Sequence, residues 1–284
     1  VLRVPDGRVV ASTDLLVEGR HFRRDWSGPV DIGAKAAAQN MADIAAMGAV
    51  PTALLLGLAT PGWLAADWVL DLVRGMLAEC ERAGATLAGG DVVSADAVML
   101  AISALGDLAG RQPVTRQGAR PGDLLAISGP VGWSAAGLAL LASGAADRAD
   151  LGADLAALVA AHRRPQPRYQ AGPQAARCGA TAMIDISDGL VADVGHVASA
   201  SGVGFQIHAA DLPGQAPLRA AAALLGDDWR DWALAGGEDH ALAATFRAGQ
   251  PQPDGWKVIG AAREGAGVLV DSQQGGRGGW DHFR

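Results

Sequence analysis

The sequence predicts an α/β protein of two domains, and three observations carry that expectation. Its 284 residues are 50 % hydrophobic and 19 % charged, enough apolar material to offset chain ordering and more than one small core requires. Periodicity in the first half alternates between strand and helix in the order β-α-β-α-β. A polar stretch over Asp107–Asp123, containing GRQPVTRQGARPGD, then separates the halves with Arg, Pro and Gly. The boundary drawn there gives domains of residues 1–112 and 113–284.

Each element follows from local pattern. Arg8–Ser12 reads as a short apolar strand, Ile32–Met47 as an Ala-rich helix, Thr52–Thr60 as a strand, Ala65–Ala83 as a helix and Ala97–Leu105 as a strand. In the second helix Trp68, Leu72, Met76 and Cys80 recur four apart as a packed stripe. Beyond the boundary, Leu124–Ser128 reads as a strand, Trp133–Ala142 and Asp147–His162 as helices, and Arg163–Gly172 as a Pro-broken loop. Thr181–Ile184 is a strand leading to a helix over Val191–Ala200, and Val203–His208 a strand. A helix near Leu218–Leu225 precedes strands near His240–Phe246, Trp256–Ile259 and Gly267–Val270. The tail GGRGGWDHFR is Gly-rich.

Composition narrows the function classes. A formal charge of −7, with 30 acidic against 23 basic residues, argues against a nucleic-acid surface. Cys80 and Cys178 are too far apart in sequence for a close-spaced metal pair, and the His residues show no HExxH spacing, which argues against zinc chemistry. The start VLRVPDGRVV is neither a leader peptide nor a membrane span, and no run reaches about 18 apolar residues. The expectation is a cytoplasmic protein with no membrane partner.

The chemical signal is a recurring placement of carboxylates after strands or beside Gly-rich turns. Asp14 follows VVAST, Asp91 follows ATLAGG, Asp185 and Asp188 flank a helix start in AMIDISDGL, and Glu238 with Asp239 follows Ala-Gly-Gly. Each Asp singly serves as well for a helix cap or a dipole partner. Four such turns in one chain point instead to a shared crevice where a hard cation, magnesium, accepts oxygen ligands. Asp43 and Asn40 lie three apart on the first helix, either facing that crevice or on a solvent face. Gly89-Gly90-Asp91 and the Gly129–Ser134 loop offer backbone N–H groups to an anion, although neither is a Walker A loop. Arg116 and Arg120 serve as phosphate contacts or as linker charges.

Seven segments together give the chain a resemblance to the thiamine-monophosphate kinase family, within the superfamily that includes aminoimidazole ribonucleotide synthetase. They are STDLLVEGRHF at Ser12–Phe22, AAQNMADIAAMGA at Ala37–Ala49, AGGD at Ala88–Asp91, TRQGARPGD at Thr115–Asp123, IDISDGL at Ile184–Leu190, AGGEDHAL at Ala235–Leu242 and WDHF at Trp280–Phe283. The resemblance implies a two-domain synthetase-like α/β architecture, with an N-terminal sheet at a homodimer interface and ATP and Mg2+ in the interdomain cleft. Asp14, Asp43, Asp91, Asp185 and Asp188 resemble the family's metal carboxylates, and Ser12 and Thr13 match adjoining metal positions. Gly90, Arg116 and Ser187 match nucleotide contacts, with Asp91 beside them. His21, Glu238 and Trp280 match contacts to thiamine monophosphate. The family's GDD-like acidic segment precedes the residues present here, Val92 stands where Thr is common, and His240 where Tyr is common.

On that resemblance the reaction is transfer of the ATP γ-phosphoryl group to thiamine monophosphate. The acceptor oxygen is already ionised at neutral pH, so no protein general base is needed. The rival readings are another ATP-dependent synthetase of the same superfamily and a noncatalytic nucleotide-binding homologue.

Overall fold

The computed structural model describes Leu2 and residues 4–274. The WDHF segment, and Trp280 with it, lies outside the described residues.

The first half forms β1 (Val10–Val17), α1 (Pro29–Ala46), β2 (Val50–Thr60), α2 (Ala66–Ala83), β3 (Thr86–Ser94) and β4 (Met99–Asp107). Its strands make a four-stranded sheet in the order β1-β4-β2-β3. Rows of paired residues define its two faces. Leu16, Leu100 and Leu58 share a row, as do Asp14, Ile102 and Leu56. The apolar members of these rows are buried in a core with Ile32, Met41 and Ile44 of α1 and Leu72 and Met76 of α2. The helices therefore cover one face only.

Two sequence expectations change here. The chain does not turn at Asp14: β1 continues to Val17, because Leu15, Leu16 and Val17 extend the strand pairing against β4. Nor do Gly89-Gly90-Asp91 form a turn. These residues lie within β3, an exposed edge strand parallel to β2, whose glycines and lack of buried side chains mask the usual strand pattern. A Cβ at Gly90 would stand 2.0 Å from the Leu56 carbonyl oxygen, so glycine is required by the close approach of β2.

The second half forms β5 (Leu124–Ser128), α3 (Trp133–Ala142), α4 (Ala153–Arg163), α5 (Ala171–Arg177), β6 (Ala182–Ile186), α6 (Leu190–Ser201), β7 (Gly204–Ile207), α7 (Gln215–Leu225), α8 (Trp229–Ala235), β8 (Ala241–Phe246), β9 (Lys257–Arg263), β10 (Val268–Val270) and β11 (Gln273–Gln274). Its seven-stranded sheet runs β11-β10-β7-β9-β5-β8-β6. The short helices α5 and α8 were not apparent in the sequence, since seven residues hold too little periodicity to separate from loop. Side chains alternate between the two faces of this sheet. Ile184, Ile186 and Ala243 join a core with Leu140, Leu158, Val194 and Leu218, while Leu242 packs with Ala45 and Ala46 of α1 and Ala171.

Helix α1 is thus shared by both domains. Pro29 at its first turn costs no hydrogen bond. It is buried along most of its length, including the polar Lys35 and Asn40. A second tie comes from Tyr169, which enters the N-terminal core and donates to Glu79 Oε1 at 2.5 Å. Arg82 bonds the same carboxylate and stacks over the Tyr169 ring.

Candidate active site

The cleft beside α1 has a volume of about 1290 Å³, more than the roughly 300–1,000 Å³ that houses one small ligand. Ser12 and Asp14 come from β1, Asp43 from α1, and Asp185 from β6. Asp185 alternates with Ile184 and Ile186 and pairs with Leu242, so it projects from the face that packs on α1. The Asp14 N–H donates to Asn40 Oδ1 at 3.1 Å and Gln39 Nε2 donates to Asp14 Oδ2 at 3.2 Å, pinning β1 to α1. Ser12 Oγ donates to Asp43 Oδ2 at 2.5 Å.

These carboxylates disfavour one another's charge. Burial, then the negative charges of Asp185 and Asp14, push the Asp43 carboxyl up to about 7, against the Ser12 hydrogen bond and His240. His240 Nδ1 lies 3.5 Å from Asp185 Oδ2. Burial pulls its pKa down, but the hydrogen-bonding and charge influence of Asp185, with Asp43 and Glu238, outweighs that and raises it. Asp185 Oδ2 and both His240 ring nitrogens nevertheless lack a hydrogen bond of good geometry. A carboxylate oxygen without a hydrogen bond, among like charges that one imidazole offsets in part, suits an external cation.

Hard oxygen donors suit magnesium. Among the described residues no three His, Cys, Asp or Glu side chains form a metal cage. Magnesium is commonly held by one or two carboxylates together with waters and substrate phosphates, so carboxylates spread around an open cleft fit that ion.

The remaining site expectations separate into residues that line the cleft and residues that do not. Asp188 and Ser187 line it just before α6, with Arg116, His21 and Glu238. Thr13 alternates to the other face of β1, where its hydroxyl donates to the Ile102 carbonyl at 2.9 Å. Gly90 and Asp91 stand at the far edge of the sheet, three strands from β1. Asp91 is exposed and its Oδ1 accepts from the Val92 N–H at 2.9 Å. Two N–H groups of the Gly129–Ser134 loop are already taken. Asp239 accepts from the N–H groups of Gly132 at 2.5 Å and Ser134 at 2.8 Å, so its carboxylate occupies the place an anion would take.

Three groups in the site escaped the sequence reading. Asp193 Oδ2 accepts from the N–H groups of Ser187, Asp188 and Gly189, each at 3.0 Å, and so shapes the turn carrying Asp188. Lys35 Nζ donates to Glu238 Oε2 at 3.0 Å. His162 Nδ1 lies 3.7 Å from that oxygen and 3.1 Å from Ser134 Oγ. A lysine within an otherwise apolar stretch of an Ala-rich helix, in a chain with two lysines, was the available clue. Near His21, the Val17 N–H donates to the ring Nδ1 at 3.0 Å, which in the neutral ring leaves the proton on Nε2.

Residues 1–108 match the family described as AIR synthase related protein, N-terminal domain, and residues 120–246 its C-terminal domain. The chain is 49 % identical over 281 residues to the thiamine-monophosphate kinase of Mycobacterium tuberculosis, covering 98 % of this chain and 82 % of that protein. Among solved structures, the thiamine monophosphate kinase of Aquifex aeolicus superposes with a TM-score of 0.88 at 33 % identity, covering 95 % and 90 % of the two chains. A structure described as AaThiL complexed with AMPPCP and TMP superposes at 0.91 with 32 % identity, covering 99 % and 89 %.

Proposed function

Because this chain belongs to the thiamine-monophosphate kinase family, we propose that its cleft transfers the γ-phosphoryl group of ATP to thiamine monophosphate, yielding thiamine diphosphate and ADP. The observation that carries this reading is the convergence of Asp14, Asp43 and Asp185 at the domain junction, with Asp185 Oδ2 left without a hydrogen bond and only the His240 ring 3.5 Å away.

Ser12, Asp14, Asp43, Asp185 and Asp188 are the residues that would hold magnesium. Magnesium held there would supply the charge that offsets repulsion between the two phosphate groups during in-line transfer. The chain's own part is positional. Asn40 and Gln39 hold Asp14 in place, Asp193 shapes the turn presenting Ser187 and Asp188 to the nucleotide, and Arg116 offers its guanidinium to a phosphate. His21 lines the cleft toward the acceptor phosphate, and Glu238 faces the cationic ring of the acceptor. Trp280, outside the described residues, is assigned to stack on that ring.

The homodimer reading rests on the uncovered face of the N-terminal sheet. Leu15, Leu55, Val93 and Met99 are exposed there by 57, 42, 53 and 36 %, the kind of apolar face that a second copy buries. Asp91 stands three strands from Asp14 and on that face, so it serves the partner's cleft. Mixing Asp43→Asn and Asp91→Asn variants tests this. A mixed dimer then carries one intact site, and about a quarter of the activity returns; a mixture as inactive as its components refutes service in trans.

Among the described residues no helix is long and apolar enough to cross a membrane. A cytoplasmic setting accords with a reaction that consumes ATP. The deciding assay supplies purified protein with ATP, magnesium and thiamine monophosphate and follows thiamine diphosphate, with thiamine and aminoimidazole precursors as alternative acceptors. Formation from an alternative acceptor, and none from thiamine monophosphate, would reject the reading.

A further inference from the structure

Lys35 is an ammonium group with only 3 % of its side chain exposed. Removing such a charge from water is costly unless it is paired. Its partner is Glu238, 203 residues away in sequence and in the other domain. The same carboxylate oxygen has the His162 ring 3.7 Å away, and that ring is held by Ser134. Burial, with the positive charge of Lys35, holds the His162 pKa down to about 4, so the ring is neutral near pH 7 and the Lys35–Glu238 pair balances by itself. The Glu238 side chain remains 31 % exposed and lines the cleft, whereas Lys35 does not line it.

The residue type is informative. Of 23 basic residues two are lysines, and the other, Lys257, is exposed. Elsewhere the chain uses arginine. A compact ammonium fits beneath a single carboxylate oxygen where a planar guanidinium would need a broader, forked acceptor.

We propose that Lys35 is a positioning residue for acceptor recognition: from the N-terminal domain it holds the Glu238 carboxylate of the C-terminal domain at the cleft wall, so the acceptor pocket is complete only while the domains are docked. This rests on the reading that Glu238 meets the acceptor. It assigns Lys35 no contact with substrate. Acceptor affinity is thereby tied to domain docking through one ion pair, while ATP affinity is not.

A double-mutant cycle tests the assignment in the full-length protein. Lys35→Met, Glu238→Gln and the pair together are compared by the Michaelis constants for thiamine monophosphate and ATP, by kcat, by calorimetric MgATP titration and by thermal unfolding. Each single substitution raises the acceptor KM about tenfold, leaves ATP affinity within about twofold, and the double variant is no worse than Glu238→Gln alone. If Lys35→Met does not fold, Lys35→Arg replaces it in the cycle, with a smaller acceptor effect that also vanishes in the Glu238→Gln background. An unchanged acceptor KM in Glu238→Gln overturns the placement of Glu238 at the acceptor, and the inference falls with it. A normal Glu238→Gln effect, combined with a Lys35 effect that persists in that background or strikes ATP and acceptor equally, overturns the positioning role alone.

Discussion

The two ends of the cleft handle negative charge in opposite ways. At one end Asp14, Asp43 and Asp185 face each other with a single imidazole, His240, for company, and an Asp185 oxygen is left without a hydrogen bond. At the other, Glu238 is matched by Lys35, and its carboxyl is held below the usual range: burial alone would raise it, but Lys35, His162 and His240 together outweigh burial. A protein that needed only stability would neutralise both ends. The unmatched end stores repulsion that an incoming cation relieves, whereas the matched end holds a side chain in place.

The sharpest way to break this contrast is Asp43→Asn. Turnover with magnesium should fall about 10³-fold, roughly 4 kcal/mol of transition-state stabilisation, while the melting temperature in chelator rises by about 2–4 °C because repulsion with Asp185 and Asp14 is removed. Steady-state kinetics and calorimetry measure the two. Activity and metal-free stability both lost together would mean that Asp43 is an ordinary structural residue.

Proton linkage probes the matched end. The folded-state pKa of His162 is lowered to about 4 from 6.5, so the unfolded chain takes up that proton first. Stability from this group is whole above about pH 6.5 and is lost as pH falls toward 4, by up to about 3 kcal/mol. The carboxyl of Asp43, raised to about 7, has the opposite sign, since the folded state then binds the proton first. The informative quantity is therefore the difference between the parent and His162→Gln, measured by denaturant unfolding across that window. A difference independent of pH would mean that His162 is not held neutral.

The smallest effect concerns another buried carboxylate, Glu79, satisfied by Tyr169 and Arg82. Tyr169→Phe should cost about 1–2 kcal/mol of stability and leave the Michaelis constants unchanged. A selective rise in the acceptor KM would show that this tie, too, governs the cleft.

Much of the chemistry could be read from residue types. Asp14, Asp185 and Asp188 stand out by their place after strands and beside turns, Asp43 by its place near Asn40 on the first helix, and the structure brings all four to one cleft. Thr13, Gly90 and Asp91 looked equivalent in sequence, yet Thr13 is on the reverse face of β1 and the other two are at the far sheet edge. Alternation assigns relative faces along a strand, but it does not say which face a helix covers or which strands become neighbours. The SGPVGWS loop looked open to an anion until the structure showed Asp239 already seated on its N–H groups.

What the sequence by itself determined was the alternation of strands and helices, the break near Asp107–Asp123, and the supply of carboxylates beside glycine. These follow from short-range sterics and periodicity, which act between residues only a few positions apart. Only the tertiary structure decided that α1 would lie against both sheets, facing Asp43 toward Asp185 and placing Lys35 under Glu238 across 203 residues of chain. Such contacts depend on how two separately patterned cores pack, and the free energy of a buried charge depends on which partner that packing delivers. A lysine in an Ala-rich helix reads the same in sequence whether its partner is water or a carboxylate from the other domain.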